Sequence, residues 1–127
     1  MKIKIATIND IPLILEFIKE LADYEQLLDQ VVATEQILKE KLFGDTKYAE
    51  VIFAYEEDKA VGFALFFHNF STFLGKPGIY LEDLYIKPQY RGKKIASYIL
   101  SFLAKLAKKR DCGRLEWWIL DWSNSDG

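Results

Sequence analysis

Two acids stand side by side in an otherwise apolar stretch, Glu82 and Asp83 within Tyr80-Leu81-Glu82-Asp83-Leu84-Tyr85-Ile86, and they are well placed to move a proton. An acid in mid-strand costs burial energy unless it is paired, solvated in a cleft, or used. Neighbouring strand residues face opposite ways, so at most one of the two is expected on a given side of the sheet. Pro88 then ends the strand by removing a ladder donor. Arg91-Gly92-Lys93-Lys94 opens a helix, where free N–H groups and the helix dipole favour an anion. Strand, acid and anion-binding helix start, in that order, point to an enzyme that uses a phosphate-bearing cofactor.

Other chemistries fare worse. His68 and Ser71 lie close together, but no supporting acid or G-x-S-x-G context accompanies them, so a loop or surface role is expected. Cys112 is the only cysteine and His68 the only histidine, which leaves no internal disulfide, no thiol metal cluster and no metal site. No G-x-x-x-x-G-K-[ST] run is present, which removes a P-loop. Lys+Arg of 17 against Asp+Glu of 19 gives a net charge of −2, so no basic field argues for nucleic acid or membrane. The cluster Lys105, Lys108, Lys109 and Arg110 reads as charge complementing a helix C-terminus. The N-terminus, MKIKIATIND, lacks an apolar stretch of signal-peptide or membrane length, and a cytoplasmic protein is expected.

The elements that must hold these residues follow from pattern. Half the residues are hydrophobic and 15% are aromatic, enough for one core in a chain of 127 residues, read as a single domain over 1–127. Residues 2–7 alternate as a half-buried strand. Asn9-Asp10 and Pro12 start an amphipathic helix running to about Leu27, through Ile14, Leu15, Ile18 and Leu21. Thr34 caps a second helix that stops at Gly44. Ala49 to Tyr55 and Ala60 to Phe67 form a hairpin, and Gly75-Lys76-Pro77-Gly78 turns into the central strand. A helix then runs to about Lys109, with Ile95, Ile99, Phe102, Leu103 and Leu106 inward, and Leu115 to Trp122 is a last strand.

This order, β-α-α-β-β-β-α-β, together with the central motif, resembles the GNAT family of acetyl-coenzyme A-dependent N-acetyltransferases, above all its diamine (spermidine/spermine) branch. The residues that carry the resemblance are the E-L-A-x-Y-E run at Glu20 to Glu25, Gln30-Val31, Thr34-Glu35, Phe43-Gly44 and Gly75-Lys76. Tyr80 to Asp83, Tyr90-Arg91-Gly92 and Asp121-Trp122 continue it. The resemblance implies an α/β GNAT acyl-CoA N-acyltransferase fold, a mixed central sheet flanked by helices with the cofactor wedged between two central strands.

It also implies roles. The family's pyrophosphate loop, Arg/Gln-x-x-Gly-x-Gly/Ala, falls on Arg91-Gly92-Lys93-Lys94-Ile95-Ala96, followed by Ser97. Lys94 replaces the usual middle glycine, which is tolerated if its φ is negative and helical. Leu84 and Ile86 match positions whose backbone pairs with the pantetheine arm of acetyl-CoA like an added strand. Glu82 matches the general base, its pKa raised by strand burial. Tyr24, Glu25 and Asp83 match the diamine-binding surface, and Phe73 stands where an aromatic often lies.

After Trp122 the chain departs from the family pattern, whose next helix carries a tyrosine that protonates the leaving thiolate. The expectation is a fold lacking the C-terminal helix and last strands, hence lacking that acid. The function expected is acetyl transfer from acetyl-CoA to a primary amine of a small (poly)amine-like acceptor by direct attack in a ternary complex. The alternative is an impaired or inactive remnant that binds coenzyme A or assembles with another chain. A homodimer covering the Trp117/Trp118 strand is expected, with no nucleic-acid or membrane partner.

Overall fold

The computed structural model describes residues 1–117. Strands β1 (Lys2–Ile5), β2 (Glu50–Glu56), β3 (Lys59–Ser71), β4 (Lys76–Ile86) and β5 (Leu115–Trp117) form one sheet in the order β1-β2-β3-β4-β5. Helices α1 (Ile11–Tyr24) and α2 (Glu35–Phe43) precede β2, and α3 (Ile95–Lys109) links β4 to β5. The first three pairings are antiparallel and β4–β5 is parallel, as a strand-helix-strand crossover allows.

Each face of the sheet has its own core. On one side Ile95, Ile99, Leu103 and Ala107 of α3 pack on Ile52, Val61, Ala64, Ile79, Leu81 and Ile86, an aliphatic layer. On the other, Ile11, Ile14 and Phe17 of α1 and Leu38 and Leu42 of α2 pack on Phe53, Phe63 and Tyr85. This second layer is aromatic, with Phe17 edge-on to Phe53 at 5.4 Å and to Tyr85 at 6.3 Å. Gly62 lets α3 approach closely, because a methyl there would lie 2.9 Å from Ile86 Cδ1 and 3.2 Å from Ile95 Cγ2. β5 is tied across β4 by Asn69 Nδ2, which donates to Glu116 Oε1 at 2.9 Å.

Several boundaries differ from the sequence pattern, each for a local reason. The first strand stops at Ile5 and not residue 7, because Ala6 N–H bonds Val51 and Thr7 N–H turns to Asp10 Oδ2 at 2.8 Å. α1 ends at Tyr24 instead of Leu27: Gln26 takes a positive φ of 61°, and Leu27 N–H closes back on Ala22. Thr34 does cap α2, accepting from Ile37 N–H at 3.1 Å. The hairpin between β3 and β4 turns earlier than Gly75-Lys76-Pro77-Gly78, since Lys76, Pro77 and Gly78 already pair with Ser71, Phe70 and Asn69. His68 and Ser71 therefore lie on a strand and not a loop, with Ser71 buried and its Oγ accepting from Leu74 N–H. Arg110 is more than helix-end charge: it forms a two-pronged ion pair with Glu50. Of the strand expected over 115–122, Leu115–Trp117 is described, and Trp118, Asp121 and Trp122 lie outside the described residues. No described helix is long and apolar enough to cross a membrane.

Candidate active site

The two acids owe their arrangement to a defect in the β3–β4 ladder. Leu65 pairs with Asp83 but Phe66 with Leu81, so Glu82 is the extra residue of a β-bulge. Leu81 and Leu84 both face the α3 layer, and two residues separate them instead of one. Glu82 and Asp83 consequently share the opposite face, the one lined by α1. This corrects the alternation argument, which holds only in a regular strand. It also moves the burial: Glu82 is exposed and Asp83 is half-buried. The pKa of Asp83 is raised to about 6, first by burial and then by the charges of Glu82 and Glu25.

Glu25 reaches this cluster because α1 terminates beside β4. Glu25 is the residue just past Tyr24, and its N–H still bonds Leu21. Tyr24 is about half exposed and meets Tyr85 of β4 edge-on at 6.2 Å. Lys87, at the end of β4, anchors α1 from below: its Nζ lies 2.9 Å from Glu20 and 3.5 Å from Glu16, over the Phe17 ring. The three expected acceptor-side residues, Tyr24, Glu25 and Asp83, are thus brought together with Glu82. Phe73 is not. It is 99% exposed in the turn before β4, and roughly 20 Å of strand, at ~3.3 Å per residue, separates that turn from Asp83.

Past Ile86 the chain makes a single 3-10 turn, Pro88–Tyr90, and then the connection to α3. Gly92 has φ 81° and Lys94 φ 63°, so both residues take the left-handed region. The negative, helical φ expected at Lys94 is therefore not what the loop adopts: Lys94 keeps the glycine conformation without being glycine, a strained state for a side chain. The helix begins after it, at Ile95, and not at Arg91. Lys93, Lys94, Ser97 and Gly92 are exposed around this start, Ile95 is buried beneath it and Ala96 is half-buried. The positive end of a helix of 15 residues opens here.

Leu84 and Ile86 pair with Ala64 and Gly62 of β3 on one side. On the other side the described pairing with β5 covers only Ile79 to Leu81. An extended ligand arm laid along β4 at Leu84 and Ile86 would run from the acids towards the helix start.

One contributor escaped the sequence pattern. Lys59, in the β2–β3 turn, lies 5.5 Å from the Tyr90 ring centroid, and Lys93 lies 5.2 Å from the same ring. Tyr90 thereby gathers two cations beside the helix start. Nothing in the local sequence of Glu57-Asp58-Lys59 could have signalled this, because the pairing is made by the fold of β3 against β4.

A strand that carries acids on one face, followed directly by a cation-rich turn and a helix N-terminus, is an α/β arrangement able to receive a phosphate-bearing ligand. A model of the acetyltransferase (GNAT) family matches residues 15–126, and the chain belongs to that family. It is 41% identical over 118 residues to thialysine N-epsilon-acetyltransferase of Bos taurus, covering 87% of this chain and 69% of that protein. Spermidine/spermine N(1)-acetyltransferase-like protein 1 of Homo sapiens is 30% identical over 131 residues, covering 98% of this chain and 19% of its own length. An integron cassette protein from the mobile metagenome of V. cholerae matches in structure with a TM-score of 0.76 at 28% identity, over 97% of this chain and 76% of that one. The fold and the family inferred from the sequence are both borne out.

Proposed function

We propose that this chain transfers an acetyl group from acetyl-CoA to a primary amine of a small polycationic acceptor. The observation that carries the reading is the bulge, which sets Glu82 and Asp83 on one face next to Glu25. Three carboxylates in one patch suit an acceptor with more than one ammonium group, and the relatives named for spermidine/spermine and thialysine fit that chemistry.

The donor set fits acetyl-CoA. Backbone N–H groups from Gly92 to Ser97, with Lys93, Lys94 and Lys59 nearby, would hold the pyrophosphate, and β4 at Leu84 and Ile86 would take the pantetheine arm. Acetyl-CoA supplies an acyl group already activated as a thioester. Glu82, the exposed member of the pair, takes the proton from the acceptor ammonium, directly or through water. The freed amine lone pair would attack the thioester carbonyl, which the backbone N–H near Leu84 would polarise; the C–S bond would then break, and the second proton lost by nitrogen would pass to the departing thiolate or to water. Asp83 as the proton acceptor is the second reading, favoured by its raised pKa of about 6, close to a working pH.

The test is thiol release from acetyl-CoA with spermidine and thialysine as acceptors. Glu82→Gln is expected to lower kcat by roughly 100-fold or more, the usual worth of a general base. Equal turnover in Glu82→Gln and a collapse in Asp83→Asn would assign the base to Asp83. Stoichiometric coenzyme A binding without acetylated product would replace the catalytic reading with that of a binding module.

A further inference from the structure

The functional reading places phosphate recognition on one face of the sheet and acceptor recognition on the other. Arg91 is the residue that touches both. Its backbone enters the turn before Gly92, whose chain continues into α3 on the aliphatic face. Its side chain goes the other way. The Nε–H donates to the Ile86 carbonyl at 2.9 Å, which fixes the guanidinium against the end of β4. The guanidinium carbon then lies 4.4 Å from the Tyr24 ring centroid and 5.3 Å from that of Tyr85. Those rings touch each other, and Tyr85 also meets Phe17 in the core of the α1 face.

We propose that Arg91 is a positioning residue that couples the phosphate-binding turn to the acceptor wall, holding Tyr24 and Glu25 in place through its guanidinium instead of gripping the cofactor. The proposal builds on the acetyl transfer proposed above. Three contacts occupy the side chain in the free protein, one to the Ile86 carbonyl at the end of β4 and two to rings of the α1 face. A planar guanidinium can donate through Nε in its plane while presenting a flat face to a ring, and an ammonium cannot do both. Glu25 follows Tyr24 directly, so a shift of the Tyr24 ring moves a carboxylate of the acceptor patch. Ordering the turn around phosphate then orders the end of α1, and by linkage an ordered α1 end strengthens the phosphate site.

The first measurement uses the free protein and needs no ligand. Tyr24 is 53% exposed, so Tyr24→Ala is expected to fold. Amide hydrogen exchange at Gly92, Lys93 and Lys94 is expected to quicken roughly two- to fivefold in that variant, the range of a half-exposed cation–π contact. Exchange in β2 serves as the control and stays unchanged. Unchanged exchange in the turn would overturn the coupling. The second measurement is a double-mutant cycle of Tyr24→Ala and Arg91→Ala, read by calorimetry of acetyl-CoA and by acceptor KM. Coupling predicts non-additive effects, a larger rise in acceptor KM than in acetyl-CoA Kd, and no rescue by Arg91→Lys. A loss of acetyl-CoA affinity in Arg91→Ala alone, with Tyr24→Ala silent and Arg91→Lys restoring it, would make Arg91 a phosphate ligand and sink the proposal. If the wild-type chain bound no acetyl-CoA, the acetyl-transfer reading would fail, while the exchange experiment would still decide whether Arg91 couples the two walls.

Discussion

Two half-buried carboxylates on this sheet have been given opposite treatment. Glu50, at the start of β2, receives Arg110 through Nη1 at 2.6 Å and Nη2 at 3.0 Å. That pairing holds the Glu50 carboxyl below its usual range, against the burial that would raise it. Asp83, on β4, is buried beside Glu82 and Glu25, and its pKa is pushed up to about 6. The fold is therefore able to satisfy an acid with an arginine 60 residues away, and does so at the C-terminal end of α3. On the α1 face it leaves an acid among like charges, Glu82 and Glu25. The two acids stand at neighbouring levels of the sheet, Glu50 paired on the α3 face and Asp83 among like charges on the α1 face.

The sharpest way to break the comparison is Asp83→Asn. The folded pKa of Asp83, about 6, lies above its ordinary value of 3.8. Its favourable contribution is thus complete below pH ~4 and is lost as the pH rises through 6. At about 1.4 kcal/mol per pH unit, the ionised group costs the free protein on the order of 3 kcal/mol at pH 7. Asp83→Asn should gain much of that in urea denaturation at pH 7 and nothing at pH 4, while acceptor KM rises. A pH-independent gain would remove the charge explanation.

Arg110→Met should do the reverse. Glu50 has a depressed pKa, so its contribution is present above its ordinary value of 4.5 and fades as pH falls below it. Loss of two charge-assisted hydrogen bonds at a site about 30% exposed should cost about 2 kcal/mol at pH 7. The loss should shrink towards pH 3, with both KM values unmoved. Equal destabilisation at pH 3 would mean that Arg110 acts by packing alone.

Lys94→Gly gives the smallest effect. Releasing a non-glycine φ of 63° should stabilise the fold by about 1 kcal/mol, and removing a cation from the turn should weaken acetyl-CoA binding in calorimetry. Stabilisation without weaker binding would reduce Lys94 to a tolerated strain.

Much of this was legible in the sequence because it is local. The Thr34 cap, the inward stripe of Ile95, Ile99 and Leu103, and the order of strands and helices depend on neighbours within one or two turns. The family motif located the turn from Arg91 to Ser97. The bulge was illegible, since it exists only in the register of β4 against β3. Without it, Glu82 and Asp83 are assigned to opposite faces and burial is assigned to the wrong acid. The Glu50–Arg110 pair and the contact of Lys59 with Tyr90 likewise depend on chain segments brought together from afar.

The topology of the sheet also orders events in time. β2, β3 and β4 are joined by tight turns, so their antiparallel ladders close short loops and are expected to form early. The parallel β4–β5 pair can close only after the whole of α3 has been threaded between them. Glu82, Asp83 and Tyr85 belong to the early meander, whereas the start of α3 is fixed with the late crossover. A nascent chain would thus carry the bulge and its two acids before the parallel pair that closes the sheet.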